Sequence, residues 1–493
     1  MRTIPFPTAC SVVSPVFRAL ALAFLCLAAL AAASPAHAEA DTSIVRLDNG
    51  LTVLVHPDHR FPLVNVRLYV HAGSAYESGG REGISHLLEH MVFKGEGHDP
   101  SGDVARRVEG AGGDLNAGTS FDSTVYYVEV PSEAWELGLS AVADMAFNTS
   151  FDPDELASEK QVVLAELKRG EDNPRRMLFQ TLQSMAFKDT PYEWPIIGYR
   201  ETVNAVTPGD LKAYVQRLYQ PQSMLLCVVG DVDADAVLAE ARAVYGLRAN
   251  TEEVRPPEAI PVPEAGDGPN VRVVPGQWNK VYFSAAVPIP DENDARVAGL
   301  ELLAQVLGGG ETSRLYREFK YERGLVDGID AYAMTLERQG LFIISATLDA
   351  QNLDAFTAGL AGYLAELDPK DFTDDELARA RLNLEDSLFL TKETLSGLAG
   401  KLGYFQFFEG GLDAEEDYLY DLRHADRAQL TGLAKRFLRP DLLSVAVLTP
   451  EDAPAADDAR AQTLADAIGE AWPAPPAAQA EADTAQAGAR RTV

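Results

Sequence analysis

The order of predicted elements runs through this chain twice, and that repetition limits the fold more than any single motif. In the first half, residues 43–56 read as strand, turn and strand around Asp48-Asn49-Gly50, and 63–72 as a further strand. Residues 84–94 read as a helix, 112–130 as extended chain, 153–169 as a long helix and 223–229 as a buried strand. A proline- and acid-rich stretch follows between Asn250 and Asn270. Strands at 270–274 and 280–287, a helix at 294–307, a strand at 341–348, a helix at 374–390 and a strand at 443–448 then repeat the order. Two similar tandem α/β domains at a spacing of about 210 residues are expected, an α+β chain whose likeness lies in element order and not in residue identity. The boundaries expected are 39–250 for the first domain, 251–269 for a linker and 270–452 for the second. Residues 453–493, mostly Ala, Pro, Asp and Glu, are expected to be a disordered tail.

The 493 residues are 46% hydrophobic and 24% charged, which excludes a disordered or collagen-like chain. Lys plus Arg number 42 against 74 Asp plus Glu, a formal charge of -32, so no uniformly basic surface awaits nucleic acid. Arg2 and Arg18, the apolar run 19–33 and Ala36-His37-Ala38 form a signal peptide over residues 1–38. The run is short for a bilayer core of roughly 30 Å, which disfavours a permanent anchor. The protein is therefore expected to be exported, to the periplasm, with no stable membrane insertion after cleavage. Cleavage would leave Cys227 as the one cysteine, on a buried strand, a core residue and not a nucleophile.

The chemistry is concentrated in His86-Leu87-Leu88-Glu89-His90. Residues at i, i+3 and i+4 share a helix face, so both imidazoles and the Glu89 carboxylate project together while Leu87, Leu88 and Met91 turn to the core. Two imidazoles plus one further protein ligand hold Zn²⁺ with a position open to water, and a neighbouring carboxylate can take a proton from that water. The bland alternative is the solvated face of a surface helix. The helix after Pro153 offers Asp154, Glu155, Glu159 and Glu166 as a third ligand; Glu159 and Glu166, two turns apart, share a face and rank equally on the residues alone.

His-x-x-Glu-His with Glu166 placed 76 positions after His90 resembles the M16 peptidases, the pitrilysin and mitochondrial-processing-peptidase group. The resemblance covers roughly residues 43–450 and extends to Gly112-Gly113-Asp114-Leu115-Asn116-Ala117 and to the stretch 191–198. It implies that His86, His90 and Glu166 bind one Zn²⁺ per chain, that Glu89 is the general base, and that Glu159 supports the metal site from behind. It implies further that Asn116 and Ala117 lie on an edge strand facing the substrate, where an extended peptide adds through main-chain hydrogen bonds. The second domain has Glu301-Leu302-Leu303-Ala304-Gln305 where ligands would stand, so it is expected to be catalytically silent. Its Gly308-Gly309-Gly310 matches the family's glycine-rich loop, but Lys320 and Asp327 stand where an Arg and a Tyr hold the peptide backbone.

The function implied is a zinc-dependent endopeptidase acting on peptides or unfolded polypeptide segments in the cell envelope. A non-catalytic scaffold or assembly subunit of the same fold is the alternative. Two domains make half of the family's clamshell, so the chain is expected to form a homodimer, or a heterodimer with a paralogous subunit that supplies the Arg and Tyr pair.

Overall fold

A computed structural model describes residues 42–94, 103–254, 258–451 and 458–474. The predicted signal peptide, 1–38, lies outside the described residues.

Each half builds one sheet. In the first, β1 (Ser43–Arg46), β2 (Thr52–Pro57), β3 (Leu63–Val70), β4 (Asp114–Thr119), β5 (Thr124–Pro131) and β6 (Met224–Gly230) lie in the order β1-β2-β6-β3-β5-β4. In the second, β7 (Asn270–Gly276), β8 (Val281–Ile289), β9 (Gly328–Met334), β10 (Gly340–Leu348) and β11 (Ser444–Pro450) lie in the order β7-β11-β8-β10-β9. Without β1 the orders match strand for strand. They also match in direction, since β2 runs parallel to β6 and β7 parallel to β11 while every other pair is antiparallel. Around the sheets pack helices α1 (Ile84–Met91), α2 (Pro153–Glu171), α3 (Pro174–Ala186), α4 (Val297–Gly308), α5 (Leu353–Ala365), α6 (Asp374–Leu390), α7 (Leu395–Phe408) and α8 (Asp458–Ala471). The β1–β2 turn at Asn49-Gly50 places Gly50 at φ 89°, a left-handed conformation that glycine adopts without strain.

The two lobes exchange one helix each. α3, from the first half, covers β8 and β11 of the second sheet, where Leu178 and Leu182 pack beside Ala286, Ile343, Ala446 and Leu448. α7, from the second half, covers β3 and β6 of the first sheet, where Ala399 meets Leu54, Tyr69, Leu225, Cys227 and Val229. Both faces of β6 are thereby buried, which is why Met224–Gly230 reads as an unbroken apolar run. α7 approaches closely because Gly403 has no side chain: a Cβ there would stand 2.4 Å from the Tyr69 hydroxyl. The Tyr69 hydroxyl donates to the Gly400 carbonyl at 3.2 Å, and Arg67 Nη2 donates to the Ser396 carbonyl at 2.7 Å. Cys227 is fully buried in this contact and its thiol is pushed up to about 12 by burial, so no thiolate forms at neutral pH.

The expectation of a disordered tail over 453–493 is corrected for part of that range. Residues 458–471 form α8, which packs on α5 and β7. Leu464, Ile468 and Trp472 recur every four residues and are 1%, 2% and 7% exposed. Overall Ala and Asp content masks that narrow stripe, but one apolar residue per turn is enough when a waiting groove covers it.

Candidate metal centre

Local geometry aims α1 before any ligand is considered. Its preceding residue, Gly83, has φ 92°, and the 191–198 segment closes on it: a Cβ on Gly83 would lie 2.5 Å from the Ile197 carbonyl oxygen, and one on Gly198 2.1 Å from that of Glu82. Only glycine fits either position. Glu77 satisfies the helix start, accepting the Gly83 and Ser85 N–H groups at 2.9 Å each and the Ser85 hydroxyl at 2.7 Å. The Trp194 indole N–H reaches the same carboxylate at 3.2 Å. Burial pushes the Glu77 carboxyl up to about 7, against these four donors, which favour the charged form. Leu87, Leu88 and Met91 are at most 1% exposed, and burial of each stabilises by about 1.5–3 kcal/mol, which fixes the rotation of α1. His86, Glu89 and His90 are left half-buried on the other face.

α2 supplies the carboxylates. It begins with Pro153 behind Asp152, whose side chain accepts the N–H groups of Asp154 and Glu155 at 2.8 and 3.1 Å. Packed across α1, it brings Glu166 Oε2 to 3.7 Å from His86 Nε2 and 3.9 Å from His90 Nε2. The three donor atoms all lie within 4.8 Å of one another, and no other group of three His, Cys, Asp or Glu does so among the described residues. These separations are too long for hydrogen bonds. They are close to the roughly 3.4 Å that separates two ligand atoms each about 2.1 Å from one tetrahedral ion. Glu159 faces the other side of the ring, its Oε2 lying 3.1 Å from His90 Nδ1 and its Oε1 accepting from Lys94 at 2.8 Å. The geometry thus separates two glutamates that helical spacing alone leaves equal.

The donor set fits zinc. Burial holds the His86 imidazole below its ordinary value, against the pull of Glu166 and Glu89, so the ring is neutral with a lone pair to offer. Glu159 on Nδ1 of His90 leaves Nε2 of that ring facing the cluster. Nδ1 of His86 is buried with no hydrogen-bond partner, and Arg176 Nη1 stands 3.7 Å from Glu166 Oε1.

β4 is the outer strand of its sheet and packs against α1. Asn116 is exposed on it, its side-chain oxygen accepting the Ala117 N–H at 2.9 Å, while Ala117 is buried. Lys320 belongs to the second lobe and does not join the three-donor cluster. Its Nζ donates to the Tyr316 hydroxyl at 2.8 Å and to the Asp327 carbonyl at 2.6 Å. The tyrosine beside Lys320 is therefore Tyr316, one helical turn before it, and not position 327. Tyr316 lines a cavity of about 500 Å³ together with Gly308, Gly310, Arg175 and Asp330. Glu77, Lys94, Tyr316 and Trp194 were not singled out by sequence spacing. Only Trp194 lies within a stretch, 191–198, that the family resemblance marks.

Comparison with known proteins agrees with this layout. Residues 52–200 match the model for Insulinase (Peptidase family M16), and residues 205–384 match that for the Peptidase M16 inactive domain. An uncharacterized zinc protease of Rickettsia felis is 29% identical over 361 residues, covering 73% of this chain and 86% of that one. An uncharacterized zinc protease of Bacillus subtilis, YmxG, is 25% identical over 402 residues, covering 82% and 97%. Among solved structures, a protease from Helicobacter pylori superposes with a TM-score of 0.76 at 25% identity, covering 83% of this chain and 100% of that one. The periplasmic protease PqqL of Escherichia coli shares the fold at a TM-score of 0.70 and 21% identity, with 89% of this chain matched to 51% of that one. Two lobes of one plan, with a three-donor cluster on the first, make this a protease scaffold of the two-domain type. The chain belongs to peptidase family M16, and its second lobe is of the kind that the family model calls inactive.

Proposed function

We propose that the chain is a zinc-dependent endopeptidase that hydrolyses peptides or unfolded polypeptide segments in the cell envelope, with Glu89 as general base. The observation that carries this reading is the approach of the His86, His90 and Glu166 donor atoms to within 4.8 Å of one another. Those three side chains would hold one Zn²⁺ per chain, which would supply Lewis-acid polarisation of the scissile carbonyl and of the attacking water. Glu89, adjacent to His90 in sequence and on the same helix face as both imidazoles, accepts the proton of that water and passes it to the leaving amine. Glu159, on Nδ1 of His90, keeps that ring turned with Nε2 toward the cluster. Asn116 and Ala117, on the free edge of β4, offer main-chain groups to an extended peptide, and Lys320 with Tyr316 acts on the peptide from the second lobe.

The 1–38 segment supports export to the periplasm, and no described helix is long and apolar enough to cross a membrane. That the chain spans about half of PqqL supports a chamber closed by two such chains, identical or paralogous. The test is cleavage of a random peptide mixture by the purified chain. Hydrolysis is expected, abolished by a chelator, restored by Zn²⁺ and absent in Glu89→Gln; undiminished turnover in Glu89→Gln contradicts the reading. Sedimentation of the active species reads the assembly.

A further inference from the structure

The second lobe has a cavity where the first lobe has its donor cluster. α4 follows β8 and precedes β9 as α1 follows β3 and precedes β4, and a cavity of about 390 Å³ lies among α4, β9, α6 and α7. Glu301 and Gln305, standing in α4 where the repeat would put the two histidines, both line it. Ser387 and Thr391 are exposed at its mouth, and Glu292 is buried, only 6% exposed.

Four acidic residues line this space, Glu292, Asp294, Glu301 and Glu409, and no Lys, Arg or His does; Asp294 is held by Arg296 at 2.6 Å. Glu301 Oε2 accepts from the Tyr418 hydroxyl at 2.5 Å. The Tyr404 hydroxyl reaches Glu292 Oε2 at 3.0 Å and Glu409 Oε1 at 3.4 Å. Oε1 of Glu292 is buried with no hydrogen-bond partner. A buried carboxylate oxygen with no donor is the exception in folded proteins, and this one leaves an acceptor open inside the cavity. Burial and the nearby charge of Glu409 hold the Glu292 carboxyl well above the ordinary range, and a positive charge placed beside it would favour the ionised form.

The acids are too dispersed for a metal ion, since among the described residues only the His86 cluster brings three donor atoms within 4.8 Å. The volume is that of a small-molecule site. Ala298, Ala331, Ala333, Leu384, Leu388 and Phe405 give it an apolar wall. Acid at one end and apolar along the side is the complement of an alkyl stem that carries a positive head.

We propose that this cavity binds an alkylguanidinium or alkylammonium group, its stem against the Ala331–Leu388 wall and its charge on Glu292. The group could arrive as a free amine or as an Arg or Lys side chain of a polypeptide. Calorimetry on the full chain with agmatine, and on the Glu89→Gln chain with acetyl-Ala-Arg-Ala-amide, tests this whether or not the chain hydrolyses peptides. Binding of either probe is expected, weakened at least about tenfold by Glu292→Gln, as the loss of one charge-assisted hydrogen bond requires. The Tm of Glu292→Gln should change little, because the amide oxygen can still accept from the Tyr404 hydroxyl. Binding of the peptide alone identifies a polypeptide side chain as the source, and binding of agmatine identifies a free cation as sufficient; both uphold the assignment. Should Glu292→Gln fail to fold, Ser387→Trp at the exposed mouth carries the test by blocking access. No binding of either probe at millimolar concentration, or binding unchanged in the variant tested, overturns it.

Discussion

His90 and Glu159 are joined through the ring nitrogen that faces away from the donor cluster, Nδ1 to Oε2 at 3.1 Å. The same carboxylate holds Lys94 at 2.8 Å and is 6% exposed on its side chain, so this is a protected, charge-assisted contact and not a surface pair. It sets the imidazole's orientation from behind. Glu159→Gln keeps the shape and removes the charge. Zinc affinity, read by chelator competition, should fall by about 10- to 100-fold while the variant stays folded. An unchanged affinity would show that α1 alone orients His90.

Gly83 and Gly198 touch backbone to backbone at the start of α1. Gly83→Ala forces a Cβ to 2.5 Å from the Ile197 oxygen in a left-handed conformation. A loss of at least about 2 kcal/mol is expected, together with weaker zinc binding because the whole helix must shift. Denaturant unfolding with and without zinc measures both. A neutral substitution would mean that the 191–198 segment yields freely.

Much of this centre is legible in the chain. His86 and His90 fall on one face because four residues make about one helical turn, and Asp152-Pro153 announces α2 by an N-cap followed by proline. Helical period could not choose between Glu159 and Glu166, since seven residues return both to one face; the choice depends on how α2 crosses α1. The exchanged helices α3 and α7 were not legible for a related reason. An amphipathic pattern says that a face is covered, never which sheet covers it. Tyr316 was hidden because the family resemblance pointed to position 327, whereas Lys320 bonds the hydroxyl of Tyr316, four residues before it on the same helical face.

α8 is a working part of the second lobe. Leu464→Ala should destabilise by about 2–5 kcal/mol, the range for a fully buried leucine. Ending the chain after Glu451 should lower the melting temperature further by uncovering α5. Equal stability of the truncated and full chains would argue that α8 does not dock in solution.

Asp122 joins the lobes, accepting from the Tyr192 hydroxyl at 2.7 Å and from the Glu337 N–H at 3.2 Å. Burial, with the Glu337 charge beside it, pushes its carboxyl up to about 6. A carboxyl raised on folding keeps its proton longer in the folded chain, so its stabilising contribution is complete below about pH 4 and is lost as pH rises through about 6. Asp122→Asn cannot lose that proton. Its melting temperature should fall less than that of the unmodified chain between those two pH values, and an identical pH slope in a thermal scan would refute the assignment.

The centre itself is tested most directly by counting zinc per chain, by mass spectrometry of metal-loaded and dialysed protein, in the unmodified chain and in Glu89→Gln, His86→Ala, His90→Ala and Glu166→Ala. One zinc per chain is expected in the first two and none in the three ligand variants. Zinc retained in full by His90→Ala or Glu166→Ala, in a folded protein, would contradict the account.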